Sequence, residues 1–251
     1  MEVLRTEKVT DHMMRVWLGG AGFDDFVPAG DAEAPDTDMY VKLHFPAPDG
    51  GDEPVLRTYT IRRYDPVARE IAIDFVVHGD EGVAGPWAAN ARPGDQIALS
   101  GPGGAYAPDP AADWHLFAGD ESAIPAIGAA LRHLADVAPD AAGVAYLEVD
   151  GAAGELALTA PAGIEVRWLH RGDVHAGEST ILSDAVAAQP LPEGRVAAFV
   201  HGERECMKAI RDVLKPHGIP RADLSLSGYW AYGRTEDRFQ AEKREPIGVV
   251  L

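Results

Sequence analysis

The sequence predicts two domains: an N-terminal antiparallel β-barrel over residues 1–110 and a C-terminal parallel α/β domain over residues 111–251. The chain has 251 residues, enough for two domains of roughly 100–200 residues each. Short alternating strands separated by Gly, Pro and Asp turns fill the first part, as is typical of a small barrel. Strands then alternate with helices, which indicates a parallel sheet covered on both faces.

Composition and charge exclude several classes of protein. The formal net charge is −18, from 40 acidic and 22 basic residues. A surface this negative repels nucleic acid and anionic membrane, so we expect neither as a partner. The single cysteine, Cys206, excludes an internal disulfide and a cysteine-ligated metal cluster within one chain. Without a signal-peptide pattern or an apolar run of ~20 residues, we expect a soluble cytoplasmic protein.

The barrel strands are predicted from side-chain alternation. In the strand 39–45, for example, Met39, Val41, Leu43 and Phe45 share one face. The acidic, turn-rich residues 21–38 are predicted to form a surface loop. The full set of predicted barrel strands covers residues 13–18, 39–45, 55–61, 71–77 and 96–100.

One barrel strand carries the motif Arg57-Thr58-Tyr59-Thr60. Side chains alternate along a strand, so Arg57 and Tyr59 point the same way. A cation beside an aromatic plane suits a flavin nucleotide, which needs a charge for its pyrophosphate and a flat surface for its ring. An ordinary barrel strand with an exposed Arg and Tyr would give the same four residues, so the motif alone leaves both interpretations open.

A glycine-rich segment, 79–85, leads into a helix predicted after Pro86. Such an approach exposes unpaired backbone N–H groups, which bind phosphate without a net positive charge. That property suits an acidic protein. A helix that merely plugs one end of the barrel would look the same, and the two roles are compatible.

In the second domain the sequence predicts ligand contacts at the carboxyl ends of parallel strands, where open α/β sheets bind their ligands. These ends are Gly119-Asp120, Gly202-Glu203 and Gly228-Tyr229-Trp230. Helix capping would explain Asp120 and Ser122 equally well. Tyr229 and Trp230 are either a core plug or a stacking surface, and we favour stacking. No GxGxxG fingerprint and no Walker loop follow these strands.

The remaining elements of this domain follow from the same patterns. Ile124, Ile127, Leu131 and Leu134 have the spacing of one helix face. The predicted strands cover residues 114–119, 144–149, 164–169, 195–201 and 224–230, and two further helices cover residues 180–188 and 204–214.

Several motifs, in order along nearly the whole chain, resemble the ferredoxin-reductase superfamily and, within it, the siderophore-interacting proteins, which are flavin-dependent ferric-siderophore reductases. The motifs are Arg57-Thr58-Tyr59-Thr60, Asp74-Phe75-Val76-Val77-His78-Gly79, Ala84-Gly85-Pro86-Trp87-Ala88, Gly119-Asp120-Glu121-Ser122-Ala123-Ile124-Pro125-Ala126, Gly228-Tyr229-Trp230, Gly233-Arg234-Thr235-Glu236-Asp237 and Gln240-Ala241-Glu242-Lys243-Arg244-Glu245.

This resemblance implies an FAD held between the two domains. Arg57 would contact the pyrophosphate, Tyr59 would pack on the isoalloxazine ring and Thr60 would hydrogen-bond its edge. The implied cofactor-binding set is Arg57, Thr58, Tyr59, Thr60, Asp74, Phe75, Val76, Val77, His78, Ala84, Gly85, Pro86, Trp87, Ala88, Asp120, Ser122, Gly228, Tyr229 and Trp230.

The resemblance also implies basic residues that receive an anionic iron chelate, for which the candidates are Lys42, Arg234 and Lys243. The sequence departs from the family pattern in two places. Gly103 stands where an Arg is usual, and Ala231-Tyr232 stands where basic residues are common. These departures leave the type of substrate open.

The implied activity is hydride transfer from NADH or NADPH to FAD, followed by single-electron reduction of Fe(III) in a ferric siderophore. This chemistry requires no catalytic side chain and no protein ligand to the metal. Reduced ferredoxin is an alternative donor, and Arg204 and Lys208 are only weak candidates for contact with a 2′-phosphate. A reductase for another acceptor, or a non-catalytic module that binds a flavin or an iron chelate, are the alternatives. A monomer is the expected state.

Overall fold

The computed structural model describes residues 1–30, 36–48, 50–77 and 82–251. The chain forms two compact units, Met1–Ala107 and Pro108–Leu251. The predicted flavin contact His78 lies outside the described residues, as do Gly79, Asp80 and Glu81 of the glycine-rich segment.

The first unit is built on a six-stranded antiparallel sheet in the order β1-β2-β5-β4-β3-β6. An antiparallel bridge joins Glu2 to Gln96, and the Val3 amide donates to the Asp95 carbonyl at 2.8 Å. These bonds bring the two ends of the sheet together and close it into the predicted barrel. Its elements are β1 (Glu2–Thr10), β2 (Met13–Gly19), β3 (Tyr40–Phe45), β4 (Val55–Asp65), β5 (Glu70–Val76), α1 (Ala84–Asn90) and β6 (Ala98–Gly103).

Two features of this unit differ from the sequence-based expectations. Strand β1 was not predicted, because Val3 is its one fully buried residue and six of its nine side chains are polar or charged. The prediction that residues 21–38 form a surface loop is wrong for Phe23 and Phe26. Both side chains are buried and pack on Tyr64, with ring centroids 5.9 and 5.8 Å away. Within that range, residues 31–35 lie outside the described residues.

The second unit is a five-stranded parallel sheet in the order β11-β10-β7-β8-β9. The strand order reverses between β7 and β10, which makes their carboxyl ends the topological switch point. Its main elements are β7 (Trp114–Gly119), α2 (Ile124–Val137), β8 (Ala142–Val149), β9 (Gly163–His170), α3 (Ile181–Ala187), β10 (Val196–Glu203), α4 (Arg204–Leu214), β11 (Leu224–Trp230) and α5 (Glu236–Glu242).

The helices of this unit pack as their apolar periodicity predicts. Ile124, Ile127, Leu131 and Leu134 of α2 are all fully buried. Helix α5 was not predicted, although Thr235 caps it by accepting a hydrogen bond from the Arg238 amide. None of the helices in the described part of the chain combines the length and apolar character that crossing a bilayer requires.

Candidate functional site

The first unit carries an aromatic surface on β4 and α1. Arg57 and Tyr59 are half-buried on the same face of β4, as alternation predicts. The Tyr59 ring lies 4.4 Å from the buried ring of Phe75, which lies 5.6 Å from Trp87. The Arg57 guanidinium donates to the Leu56 carbonyl at 2.8 Å. The structure thus places a cation and an aromatic side chain on the same face of one strand.

Thr58 and Thr60 lie on the opposite face of β4, where they pair with Lys42 and Tyr40 of β3. Lys42 is exposed on this outer face. A Cβ atom at Gly103 would lie 2.5 Å from the phenol oxygen of Tyr40. The Tyr40 ring therefore lies directly over Gly103, and a side chain at position 103 would have to displace it.

Helix α1 begins without a side-chain cap. Val83, its N-cap residue, makes no side-chain hydrogen bond to the first turn, and Pro86 has no N–H to be satisfied. Ala84 and Ala88 are buried against the barrel, whereas Gly85, Pro86 and Trp87 are half-buried. This half-buried start beside Trp87 is compatible with the predicted phosphate contact.

The predicted flavin-lining residues of β5 and the position after it differ in how accessible their side chains are to a ligand. The Asp74 side chain is fully buried and holds Arg15 in a two-pronged ion pair at 2.6 and 2.8 Å. Phe75 belongs to the barrel core, while Val76 and Val77 are half-buried. Because its carboxylate is engaged by Arg15, Asp74 could line a ligand only with its backbone.

Asp120 lies at the switch point of the second unit, and its carboxylate accepts hydrogen bonds from three different segments. Its Oδ1 accepts from the backbone N–H and the hydroxyl of Ser122 at 2.9 and 2.5 Å. Its Oδ2 accepts from the Glu203 amide and from Trp230 Nε1, both at 2.8 Å. The side chains of Asp120 and Ser122 therefore form hydrogen bonds within the second unit, and their contact with a cofactor stays a prediction.

Glu203 engages a second set of backbone amides. Its Oε2 caps α4 by accepting from the amides of Glu205 and Cys206 at 2.6 and 2.9 Å. Its Oε1 accepts from the Tyr232 amide at 3.1 Å. Together with Asp120, it fixes the segment that follows β11.

The aromatic end of β11 is both packed and partly accessible. Tyr229 and Trp230 are half-buried, and the Tyr229 ring lies 4.8 Å from that of His201. Burial lowers the pKa of His201 to about 3, so that ring is neutral. Gly228 approaches Arg204 so closely that a Cβ atom would lie 3.3 Å from the Arg204 Cα.

A cluster of arginines surrounds Glu242 at the end of α5. Arg204, Arg234 and Arg238 donate to its carboxylate at 2.6, 2.8 and 2.9 Å. Hydrogen bonds from Arg204, and then from Arg238 and Arg234, lower the pKa of Glu242 to about 2. The predicted chelate contact Arg234 is thus held in an ion pair, and Lys243 lies 4.7 Å above the Phe239 ring.

Sequence reasoning missed Arg238, whose side chain is 64% exposed. The signal that could have found it is the four-residue spacing from Arg238 to Glu242, which places the two side chains on one helix face. Arg204 and Lys208, the weak candidates for a 2′-phosphate, both bond to groups of the second unit. Arg204 bonds to Glu205 and Glu242, and Lys208 bonds to Glu205 and the Ile247 carbonyl.

Glu148, also missed from sequence, is buried at the carboxyl end of β8. Burial, and then the charge of Asp120, raise the pKa of Glu148 to about 7, with Arg171 3.9 Å away as a partial counter-charge.

Burial raises the pKa of the Cys206 thiol to about 12. No group of three or more His, Cys, Asp and Glu side chains within the described ranges is arranged to hold a metal ion.

Comparison with known proteins covers most of the chain. The family model described as siderophore-interacting protein matches residues 112–233, and the model described as siderophore-interacting FAD-binding domain matches residues 47–106. A Mycobacterium tuberculosis protein is 46% identical, over 97% of this chain and 94% of its own length.

Two relatives carry descriptions of an activity. The ferric vibriobactin reductase of Vibrio cholerae is 32% identical over 97% of this chain and 93% of its own length. The NADPH-dependent ferric-chelate reductase of Escherichia coli is 28% identical over 92% of this chain and 91% of its own.

Solved structures agree with the fold. A siderophore utilization protein from T. fusca superposes with a TM-score of 0.83 at 36% identity, over 93% of this chain and 92% of the other. The FAD/NAD-binding domain of a Vibrio cholerae nitric oxide dioxygenase superposes with a TM-score of 0.69 at 17% identity, over 91% and 97%. The second likeness is one of fold alone, and it matches the predicted ferredoxin-reductase-like architecture.

Proposed function

The chain belongs to the siderophore-interacting protein family, and we propose that it is an FAD-dependent reductase of Fe(III) held in a siderophore, with NADH or NADPH as the electron source. The observation that carries the proposal is the cation and aromatic surface formed by Arg57, Tyr59 and Trp87. Arg57 and Tyr59 lie within the segment that matches a siderophore-interacting FAD-binding domain. The ferric reductase relatives of Vibrio cholerae and Escherichia coli support the same reaction.

The described residues of the first unit fit a flavin nucleotide. Tyr59, backed by Phe75, offers a flat surface to the ring, and Arg57 on the same strand face offers its charge to the pyrophosphate. The amides at the start of α1 add phosphate donors without adding net charge. When bound, the flavin supplies the conversion of a two-electron hydride into single electrons, which the side chains cannot perform.

Iron enters as substrate, with its ligands supplied by the chelate. Three guanidiniums face one carboxylate around Glu242, and Lys243 follows it, so cations outnumber carboxylates at this cluster. The segment 234–245 as a whole carries four basic and four acidic residues, on a protein of net charge −18. Arg234, Arg238 and Lys243 therefore attract an anionic chelate to the second unit. Lys42 offers a further charge on the first unit.

The test measures flavin content and iron reduction with the same purified protein. We expect a yellow protein that reduces a ferric siderophore in the presence of NADPH or NADH and a ferrous-iron trap. Arg57→Ala should lower the amount of FAD that copurifies, because the guanidinium no longer meets the pyrophosphate. Arg63→Ala is the matched control, since Arg63 is an exposed arginine of the same strand. A protein that neither contains nor takes up FAD would contradict the proposal.

The monomeric state and the cytoplasmic location inferred from the sequence remain proposals. Size-exclusion chromatography with light scattering tests the first, and fractionation of the source cells tests the second.

A further inference from the structure

Two carboxylates of the chain itself occupy the switch point of the parallel sheet. In open α/β sheets this crevice receives the pyrophosphate of a dinucleotide, which binds to backbone amides at a helix N-terminus. Here the crevice lies between the ends of β7 and β10, with α2 following one strand and α4 the other. Asp120 and Glu203 fill it.

The amides that lead into α2 are already paired. The Ser122 amide donates to Asp120 Oδ1 at 2.9 Å. The amides of Ala123 and Ile124 donate to the Asp120 carbonyl at 2.9 and 3.2 Å. The next residue, Pro125, has no N–H. The turn after β7 therefore offers few free amides to a phosphate.

The amides that lead into α4 are paired in the same way. The Glu203 amide donates to Asp120 Oδ2, and the amides of Glu205 and Cys206 donate to Glu203 Oε2. The capping carboxylate thus takes the position that an anionic ligand would take at this helix. A phosphate would have to displace a buried side chain to reach these donors.

Space and charge also oppose a phosphate here. A Cβ atom at Gly202 would lie 2.7 Å from Asp120 Oδ2, so the carboxylate packs directly on the β10 backbone. Glu148 adds another buried carboxyl group nearby. The neighbouring cation Arg204 bonds to Glu205 and Glu242. The switch point is therefore filled, and its carboxylates would repel an anion.

The same two carboxylates hold the aromatic end of β11. Asp120 accepts from the Trp230 indole and Glu203 accepts from the Tyr232 amide, while Ala231 between them is buried. Asp120 is thus a positioning residue for Trp230. These hydrogen bonds order the end of β11 at the place where the fold usually binds a phosphate.

We propose that the second unit accepts a reduced nicotinamide donor without binding its pyrophosphate at the switch point, so that the adenylate half of NADH or NADPH adds little to recognition. Asp120 and Glu203 determine this specificity. The inference rests on the proposed function for the identity of the donor, but the carboxylate arrangement itself can be tested without any reaction.

The first experiment compares NADH, NADPH and reduced nicotinamide mononucleotide, which lacks the adenylate half, as reductants of the FAD-loaded protein under anaerobic conditions. We expect second-order rate constants for flavin reduction that agree within about fivefold, because the missing half makes no contact that stabilises the transition state. An advantage of about a hundredfold or more for either dinucleotide would overturn the proposal.

The second experiment measures binding of ADP-ribose to the same holoprotein by isothermal titration calorimetry. We expect no saturable binding at concentrations up to about 1 mM, whereas a dissociation constant near 10 μM, or about −7 kcal/mol, would overturn the proposal. This arm keeps the two proposals distinguishable. If no nicotinamide donor reduces the flavin, the proposed donor is wrong, and ADP-ribose binding still decides whether the switch point is closed to phosphate.

The third experiment follows the Trp230 indole N–H resonance, assigned with Trp230→Phe, in ¹⁵N-labelled protein. Asp120→Asn should move this resonance, because the amide cannot accept from all the donors that the carboxylate serves. Asp136→Asn is the matched control, since it removes the same charge from an exposed position on α2. A folded Asp120→Asn variant with an unmoved indole signal would show that Asp120 does not position Trp230.

Discussion

At the scale of single residues, Glu148 has an unusual environment for a carboxyl group. It is buried, it faces the charges of Asp120 and Glu121, and its partial counter-charge, Arg171, is paired more closely with Glu121 at 2.6 Å. Burial is the main reason that its pKa rises to about 7. Ionised Glu148 therefore opposes folding near and above neutral pH.

Replacing Glu148 by Gln should stabilise the protein in a pH-dependent way. A group whose folded-state pKa is raised contributes stability that is present below its unfolded pKa and lost as pH rises through the folded pKa, here about 7. We therefore expect Glu148→Gln to raise the free energy of unfolding at pH 8 by on the order of 2 kcal/mol, and by much less at pH 5. Urea unfolding at both pH values measures the difference. Glu165→Gln, at an exposed carboxylate of β9, is the control, and an equal gain at both pH values would contradict the argument.

Some of the site residues could be predicted from the sequence, and others could not. Arg57 and Tyr59 could be placed together because strand alternation is a local rule. The role of Asp120 could not be predicted, because its partners Glu203 and Trp230 lie 83 and 110 residues away in sequence. Such hydrogen bonds depend on the strand order, which no local pattern encodes.

At the scale of elements, α5 is a short helix held by charge as much as by packing. Phe239 is its buried anchor, and Glu242 gathers Arg204, Arg234 and Arg238. The helix was not predicted because a single large apolar residue, Phe239, gives no periodicity. Strand β1 was missed because its side chains are mostly polar. Longer elements such as α2 and α4 were predicted because several apolar side chains repeat at helical spacing.

Reversing the charge of Arg238 should weaken the binding of anionic chelates. Its side chain is the most exposed of the three arginines around Glu242, so Arg238→Glu removes an attraction without leaving a buried charge unpaired. We expect KM for an anionic ferric chelate to rise by about tenfold, which corresponds to about 1.4 kcal/mol, with unchanged FAD content. Steady-state kinetics with one anionic and one neutral chelate measures the effect.

Arg132→Glu serves as the control for Arg238→Glu, because it makes the same change of charge on the exposed side of α2. If both variants raise KM equally, the effect comes from net charge and Arg238 has no local role.

At the scale of the whole molecule, the net charge of −18 opposes the approach of an anionic substrate. The arginines around Glu242 act over short distances, whereas the total charge acts over the Debye length, about 30 Å at 0.01 M salt and about 10 Å at 0.1 M. Added salt therefore screens the global repulsion before it affects the local contacts.

Salt should accordingly raise kcat/KM for an anionic ferric chelate. We expect an increase of about two- to fivefold between roughly 10 and 150 mM NaCl, and no change for a neutral chelate of similar size. Initial rates over a salt series at constant pH measure it. A decrease with salt for the anionic chelate would mean that the basic cluster, and not the net charge, controls the encounter.

The whole-molecule prediction from sequence was accurate for the barrel and for the parallel sheet, because each has its own pattern of alternation. It did not include the burial of Phe23 and Phe26, because their neighbours within residues 21–38 are acidic and turn-forming and indicate a surface loop. The sequence also did not predict that Asp120 and Glu203 occupy the switch point. The absence of a glycine fingerprint does not reveal which side chains replace it.

The environment of Cys206 has a practical consequence for work on this protein. The thiol is half-buried, and its pKa of about 12 leaves only a minute fraction ionised at neutral pH. Maleimide dyes and spin labels react with the thiolate, so they should not label Cys206. A second cysteine placed at an exposed site such as Asp136 could then carry a single fluorophore without prior removal of the native one.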